Sequence, residues 1–165
     1  MVLYKLDKSL KRLLATFVIV LTIGVSVGLL YLKYTTNMTS SGTVERYNGS
    51  KVNPDDFEIA EKYPKPISEM LLTTHNHVIT FSLIFTAIGL IFYFNSIIGG
   101  FWKDFLILEP LISTIITFSS IWGIRYIHEN FVYITIVSAV LMYLSFYLMS
   151  AIVLYELMFK KNEKE

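Results

Sequence analysis

The chain has 165 residues, 54% of them hydrophobic and 15% aromatic against 16% charged, with no cysteine and a formal net charge of +1. Soluble domains average about 45–50% apolar and about 25% charged residues, so this composition belongs to a membrane protein. The near-neutral charge and the lack of a basic block argue against nucleic-acid binding. Without cysteine there is no disulfide framework, thiol nucleophile, thiolate-held cluster or covalently attached haem.

In chain order, Lys5, Lys8, Lys11 and Arg12 precede the first apolar run, Leu13–Leu32. This run is too long for a signal-peptide core and no small-x-small cleavage site follows it, so it reads as an uncleaved anchor. A spanning helix needs about 20 mostly apolar residues, and Met70–Phe94, Phe105–Ile124 and Phe131–Tyr155 also qualify. Of 14 basic and 13 acidic residues, only Glu109 falls inside a run. Lipid cannot hydrogen-bond bare backbone, so all four are predicted helical despite their many β-branched residues. The expected fold is an all-α integral membrane protein, a single membrane domain built as an antiparallel bundle of four transmembrane helices. Gly24 and Gly28, four apart on the first span, are expected to pack inside that bundle. Ser138, Met142, Ser145 and Met149 on the fourth span read as ordinary packing positions.

Lys33–Glu69 is the one sizeable connection and forms the single extracytoplasmic loop. The basic residues flanking the membrane place both termini in the cytoplasm, in a bacterial inner membrane. Within the loop, Asn53-Pro54-Asp55-Asp56 predicts a helix start, with a short helix to about Lys62. Tyr63-Pro64-Lys65-Pro66 is expected to be extended and to lead to a Ser68 cap. Asn37-Met-Thr and Asn48-Gly-Ser match the glycosylation acceptor pattern, which arises easily by chance. The remaining connections, Asn95–Asp104 and Arg125–Asn130, are short, so spans two, three and four should be antiparallel neighbours.

Three histidines, His75, His77 and His128, come to similar depth on the loop side. Imidazole at that depth needs a partner, water or a ligand, and it is both a metal ligand and an axial haem ligand. Two residues turn a helix by about 200°, so His75 and His77 cannot aim at one ion from a continuous helix. The His75 face continues through Ser82, Thr86, Gly89 and Tyr93, and the His77 face through Ile84, Ile88 and Ile91. The first is the expected interior. His128 sits above Ser120, Thr117 and Ser113, so the second and third spans are expected to face each other across two small-polar stripes. On that reading one haem b sits between His75 and His128, with Arg125 on a propionate, or a metal is held by His75, His77 and His128. The alternative is that these are interfacial histidines bonded to neighbours or headgroups. Glu109-Pro110 is the other feature. A charged carboxylate there is costly, and Glu109, Ser113 and Thr117 share a face that suits a proton relay, or simply hydrogen bonds within the bundle.

Tyr47-Asn48-Gly49 and Thr74-His75-Asn76-His77 resemble the Tyr-x-Gly and Thr-His-x-His elements of a group of poorly characterised bacterial four-span membrane proteins. The resemblance covers about Tyr47 to the end of the fourth span and implies no assigned activity. The architecture is also loosely similar to four-helix membrane cytochromes b, but the inner leaflet has no histidine for a second haem. No nucleophile–base pair, phosphate loop or dinucleotide fingerprint points to an autonomous enzyme. The expected function is a haem- or metal-binding accessory subunit in electron transfer, working with other membrane or extracytoplasmic protein subunits. The alternatives are a non-redox structural or assembly subunit, and a small transporter or proton pathway through Glu109.

Overall fold

The computed structural model describes residues 2–50 and 61–160. A 3-10 turn, Leu3–Lys5, leads into α1 (Lys8–Thr36), α2 (Ser40–Asn48), α3 (Ile67–Tyr93), α4 (Phe101–Tyr126) and α5 (Phe131–Met158). Four of these, α1, α3, α4 and α5, are long and apolar enough to cross a membrane. There is no strand among the described residues. The protein is an all-helical membrane protein with an antiparallel four-span bundle.

Local chemistry sets the helix limits. The Asp7 carboxylate accepts from the N–H groups of Ser9 (2.9 Å) and Leu10 (3.0 Å), capping α1. The helix ends where Asn37 and Met38 turn left-handed, with φ of 52° and 53°. Thr39 then caps α2 by accepting from the Gly42 N–H at 3.0 Å. This helix lies inside the stretch expected to be loop. The helix predicted from Asn53 lies outside the described residues, apart from Glu61 and Lys62, which are not helical. Residues 63–66 form no helix and Pro66 is extended, as expected, but α3 begins directly after it at Ile67. Ser68 is therefore inside the helix and caps nothing, because the fixed φ of proline already sets the helix entrance. Pro110 sits within an unbroken α4.

Within the bundle, α5 touches all three other spans, while α1 leans on α5 and barely meets α3. The main core joins Phe85, Ile88 and Phe92 of α3 to Met142, Phe146, Met149 and Val153 of α5 and Val18 of α1. Ser138, Met142, Ser145 and Met149 are all buried, in keeping with a packing role. Gly24 and Gly28 depart from expectation. Both are exposed, and a Cβ on either would meet nothing within 4 Å. They border a shallow cavity of about 240 Å³ between α1 and α3 instead of a helix contact.

The face assignments on α3 hold only in part: Gly89 of the His75 face is buried, against Ile107 of α4, but its neighbours on that face are not. Thr86 and Tyr93 from the His75 face are exposed, whereas Ile88 from the His77 face is completely buried. The reason lies in the neighbouring helices. In lipid, small polar residues become interior when they find each other, and the hydroxyls of α4 pair with those of α5. That leaves α3 to enter the bundle with its ring-bearing side, stacking Phe81 on Phe85 and packing Phe85 on Phe146. The α4 stripe therefore faces α5, and the polar pairing expected between spans two and three does not form.

Candidate functional site

Two regions gather polar chemistry: the rim of the bundle that carries α2, and the seam between α4 and α5.

At the α2 rim, Tyr47 is buried in an apolar cluster with Met70, Phe118, Ile121, Ile124 and Val132. The next residue, Asn48, donates from Nδ2 to the Ile124 carbonyl at 3.1 Å. Arg125 donates from Nε to the Lys65 carbonyl at 3.1 Å, and the Lys65 N–H donates to the Tyr47 carbonyl at 3.0 Å. A ring of bonds thus closes from α2 through the extended segment to the end of α4. Gly42 lies so close to the end of α1 that a Cβ there would stand 2.1 Å from the Thr36 carbonyl oxygen. The Glu45 carboxylate accepts from Lys62 Nζ and from Ser50 Oγ, both at 2.9 Å. The cap is therefore latched to the spans at several separate points. With its side chain committed to Ile124, Asn48 is not offered as a glycan acceptor. Beside the cap a recess of about 460 Å³ opens between the start of α2 and the start of α5, with Ser41, Glu45, Glu129, Asn130 and Tyr133 among its walls.

Two groups in the cap have displaced proton affinities. The hydrogen bonds from Lys62, then Ser50, hold the Glu45 carboxyl below its usual range. Burial pushes the Tyr47 phenol up, against the smaller opposing effect of Arg46. For Glu45 the folded value is the lower one, so its contribution is present above the unfolded value and is lost as pH falls through the folded one. For Tyr47 the sign is opposite, and stability is lost as pH rises toward ionisation of the phenol. Amide protection factors at Glu45–Ser50 and Lys62, corrected for intrinsic exchange at each pH, should accordingly fall at both extremes while α4 and α5 stay protected. Protection factors there that do not change with pH would contradict this latch.

The histidines are dispersed on this rim. His75 is exposed and has no hydrogen bond, ion pair or ring contact among the described residues. The side of α3 toward α4 is marked by Thr74, whose Oγ1 accepts from Trp122 Nε1 at 2.9 Å, and by His77, whose ring lies 5.3 Å from that of Phe118. The Nδ1 of His128 accepts from the Asn130 N–H at 3.1 Å, which places the proton of a neutral ring on Nε2 and leaves no free lone pair. His77 is the reverse case. Its Nδ1 faces the Thr73 carbonyl at 2.9 Å and must donate, so Nε2 keeps its lone pair. No group of three His, Asp or Glu side chains is placed to hold a metal among the described residues. Arg125 is engaged with the Lys65 carbonyl and the Tyr126 ring. This arrangement does not fit a haem clamped between His75 and His128 with Arg125 on a propionate, because one ring is turned out and the other has its lone pair occupied.

Along the seam, Thr117 and Ser138 hydroxyls meet at 2.7 Å, and Ser120 and Thr135 hydroxyls at 2.7 Å. Ser138 also donates to the Ile134 carbonyl, and of Ser120 and Thr135 one donates across the pair while the other donates to a carbonyl, that of Thr117 or of Phe131. These rungs close on backbone oxygens. They tie the helices together and do not form a continuous chain of hydroxyls. Further toward the termini, Ser113 donates to Oε1 of the buried Glu109, whose Oε2 has no hydrogen-bond partner. One charged residue escaped the sequence reading: Glu156 is wholly buried although it lies one position beyond the fourth apolar run. It accepts from the Ser96 N–H at 2.9 Å and from the Ser96 hydroxyl, and pairs with Lys160 at 3.6 Å. The Glu156/Lys160 spacing of four was the available signal, since such pairs stack on one helix face.

The part of the chain that holds both the cap and the seam has relatives. Residues 37–164 match a family model described as a transmembrane helical domain, Aq_1264_TM. The chain belongs to that family. The matched residues take in α2, α3, α4 and α5, while α1 lies before them. No curated protein and no solved structure matches the chain.

Proposed function

We propose that the chain is a non-redox structural or assembly subunit of a membrane complex, and that its latched cap is the docking surface for another protein subunit. The observation that carries this reading is the recess of about 460 Å³ beside α2, walled by a helix that the Asn48–Ile124 bond, the buried Tyr47 and the close approach of Gly42 to Thr36 hold against the spans. A cavity of several hundred Å³ is large enough for a ligand or an inserted side chain, and a pre-ordered surface loses little freedom on binding. Tyr133, at the recess edge, is 61% exposed, and tyrosine is favoured in contact surfaces. The dispersed histidines support the choice over the haem-binding alternative.

Photocrosslinking in native membranes tests this reading. A photoreactive phenylalanine analogue at position 41 or 133 is expected to give one discrete protein adduct, with the same analogue at lipid-facing Ile115 giving none. Equal labelling at all three positions would argue against docking. The chain purified after expression with sufficient haem is expected to be colourless.

A further inference from the structure

Glu109 is buried, with 7% of its surface exposed, and its two oxygens are unequal. Ser113 donates to Oε1, and nothing donates to Oε2 among the described residues. The pairs Thr117–Ser138 and Ser120–Thr135 fix the antiparallel register of the seam, which carried onward places the buried Ser145 at the level of Glu109. No ion pair reaches Glu109 among the described residues. The charged groups nearer the termini are already committed: Lys160 to Glu156 and Ser96, and Lys103 to the carbonyls of Tyr93 and Asn95. Asp104, in the first turn of α4, brings no positive charge. From α3 the side chains packed into this half of the bundle are apolar, Phe85, Ile88 and Phe92. The next residue, Pro110, has no N–H to give the Leu106 carbonyl, so the same turn of α4 lacks one helix donor.

A carboxylate here would be an uncompensated charge in hydrocarbon, with an acceptor oxygen that meets no donor. One proton removes both defects, since it neutralises the group and turns Oε2 into a donor within a turn that has an acceptor to spare. We propose that Glu109 is a proton-binding site, holding one proton on Oε2 in the folded chain, with Ser113 fixing Oε1 as the carbonyl oxygen. The reaction is carboxylate plus a proton from water giving the neutral acid, with no other co-reactant. Because the rungs beyond Ser113 end on backbone carbonyls, the site is terminal and is not one station of the relay through Thr117. It stands independently of the docking role.

Infrared spectroscopy of the full chain in lipid nanodiscs tests this. Wild type is expected to show a protonated-carboxyl C=O band at neutral pH, lost in Glu109→Gln and kept in Glu156→Gln. Ser113→Ala should shift that band to higher frequency, because the carbonyl oxygen loses its donor. Absence of the band in folded wild type, its survival in Glu109→Gln, its loss in Glu156→Gln, or an unmoved band in Ser113→Ala would each overturn the assignment.

Discussion

Gly49→Ala is expected to release the cap and to cost about 3 kcal/mol, within the usual range for forcing a side chain into a backbone conformation that only glycine tolerates. Gly49 has φ +82° and ψ 170°, and a Cβ on it would stand 2.8 Å from the Lys62 carbonyl oxygen and from the Pro64 ring. All three atoms it would meet, Lys62 O, Pro64 N and Pro64 Cδ, belong to the backbone or to a proline ring bonded into it, so a rotamer change cannot relieve the clash. The Ser50 N–H bond to the Lys62 carbonyl (2.9 Å) and the Lys65 bond to Tyr47 both cross this point. The variant should therefore show fast amide exchange over Ser40–Asn48 while Phe131–Met158 remains protected. Uniform loss of protection would mean that cap and bundle unfold as one unit. Unchanged exchange would mean that Gly49 is not the constraint.

The second large effect is expected at the opposite end. Glu156→Ala should destabilise the chain by about 2 kcal/mol, within the range for losing hydrogen bonds to a charged group, since Lys160 is one-third exposed and is left in solvent. The substitution strands the Ser96 N–H and hydroxyl and leaves Lys160 without its carboxylate. Glu156→Gln should cost clearly less, because an amide oxygen can still accept from Ser96. Equilibrium unfolding of the two variants in mild detergent would check the order. Equal losses would show that charge and not the Ser96 bonds holds the α3–α4 turn against α5. Lys160 also stands over the Tyr4 ring at 4.9 Å, and the Leu3 N–H reaches the Phe94 carbonyl at 3.1 Å. Both contacts draw the N-terminal turn into the same closure.

The four spans were legible because the absence of charge over about 20 residues is a direct statement about solvent. Interior faces were less legible. For a soluble helix the apolar side is the buried side, but in lipid both sides of α3 are apolar enough to be solvated. The side that enters is then set by which rings and hydroxyls the partners offer. Ser82, Thr86 and Gly89 look like an interior stripe on their own, yet only Gly89 is buried, because Thr117, Ser120, Thr135 and Ser138 satisfy one another. The short α2 was hidden because Ser-Ser-Gly-Thr has weak helix propensity. It is held by Tyr47 and by the close approach of Gly42 to Thr36, which are tertiary effects. Glu109 could be found from sequence as the one charge inside a run, and Glu156 was missed because a window edge fell one residue short of it. The three histidines share a depth but not a direction: His75 is exposed, His77 lies against Phe118 and His128 accepts from Asn130. Equal depth does not bring side chains together when 100° per residue separates their directions.

On the proposed function, the latched cap, and not a histidine-held cofactor, carries the role of the chain. This is tested most directly by isolating the chain with its associated proteins from native membranes in three forms: wild type, Gly49→Ala, and the double variant His75→Ala with His128→Ala. A defined complex is expected with wild type and with the histidine double variant, and its loss with Gly49→Ala. A complex that survives Gly49→Ala and dissolves in the histidine double variant would contradict that reading.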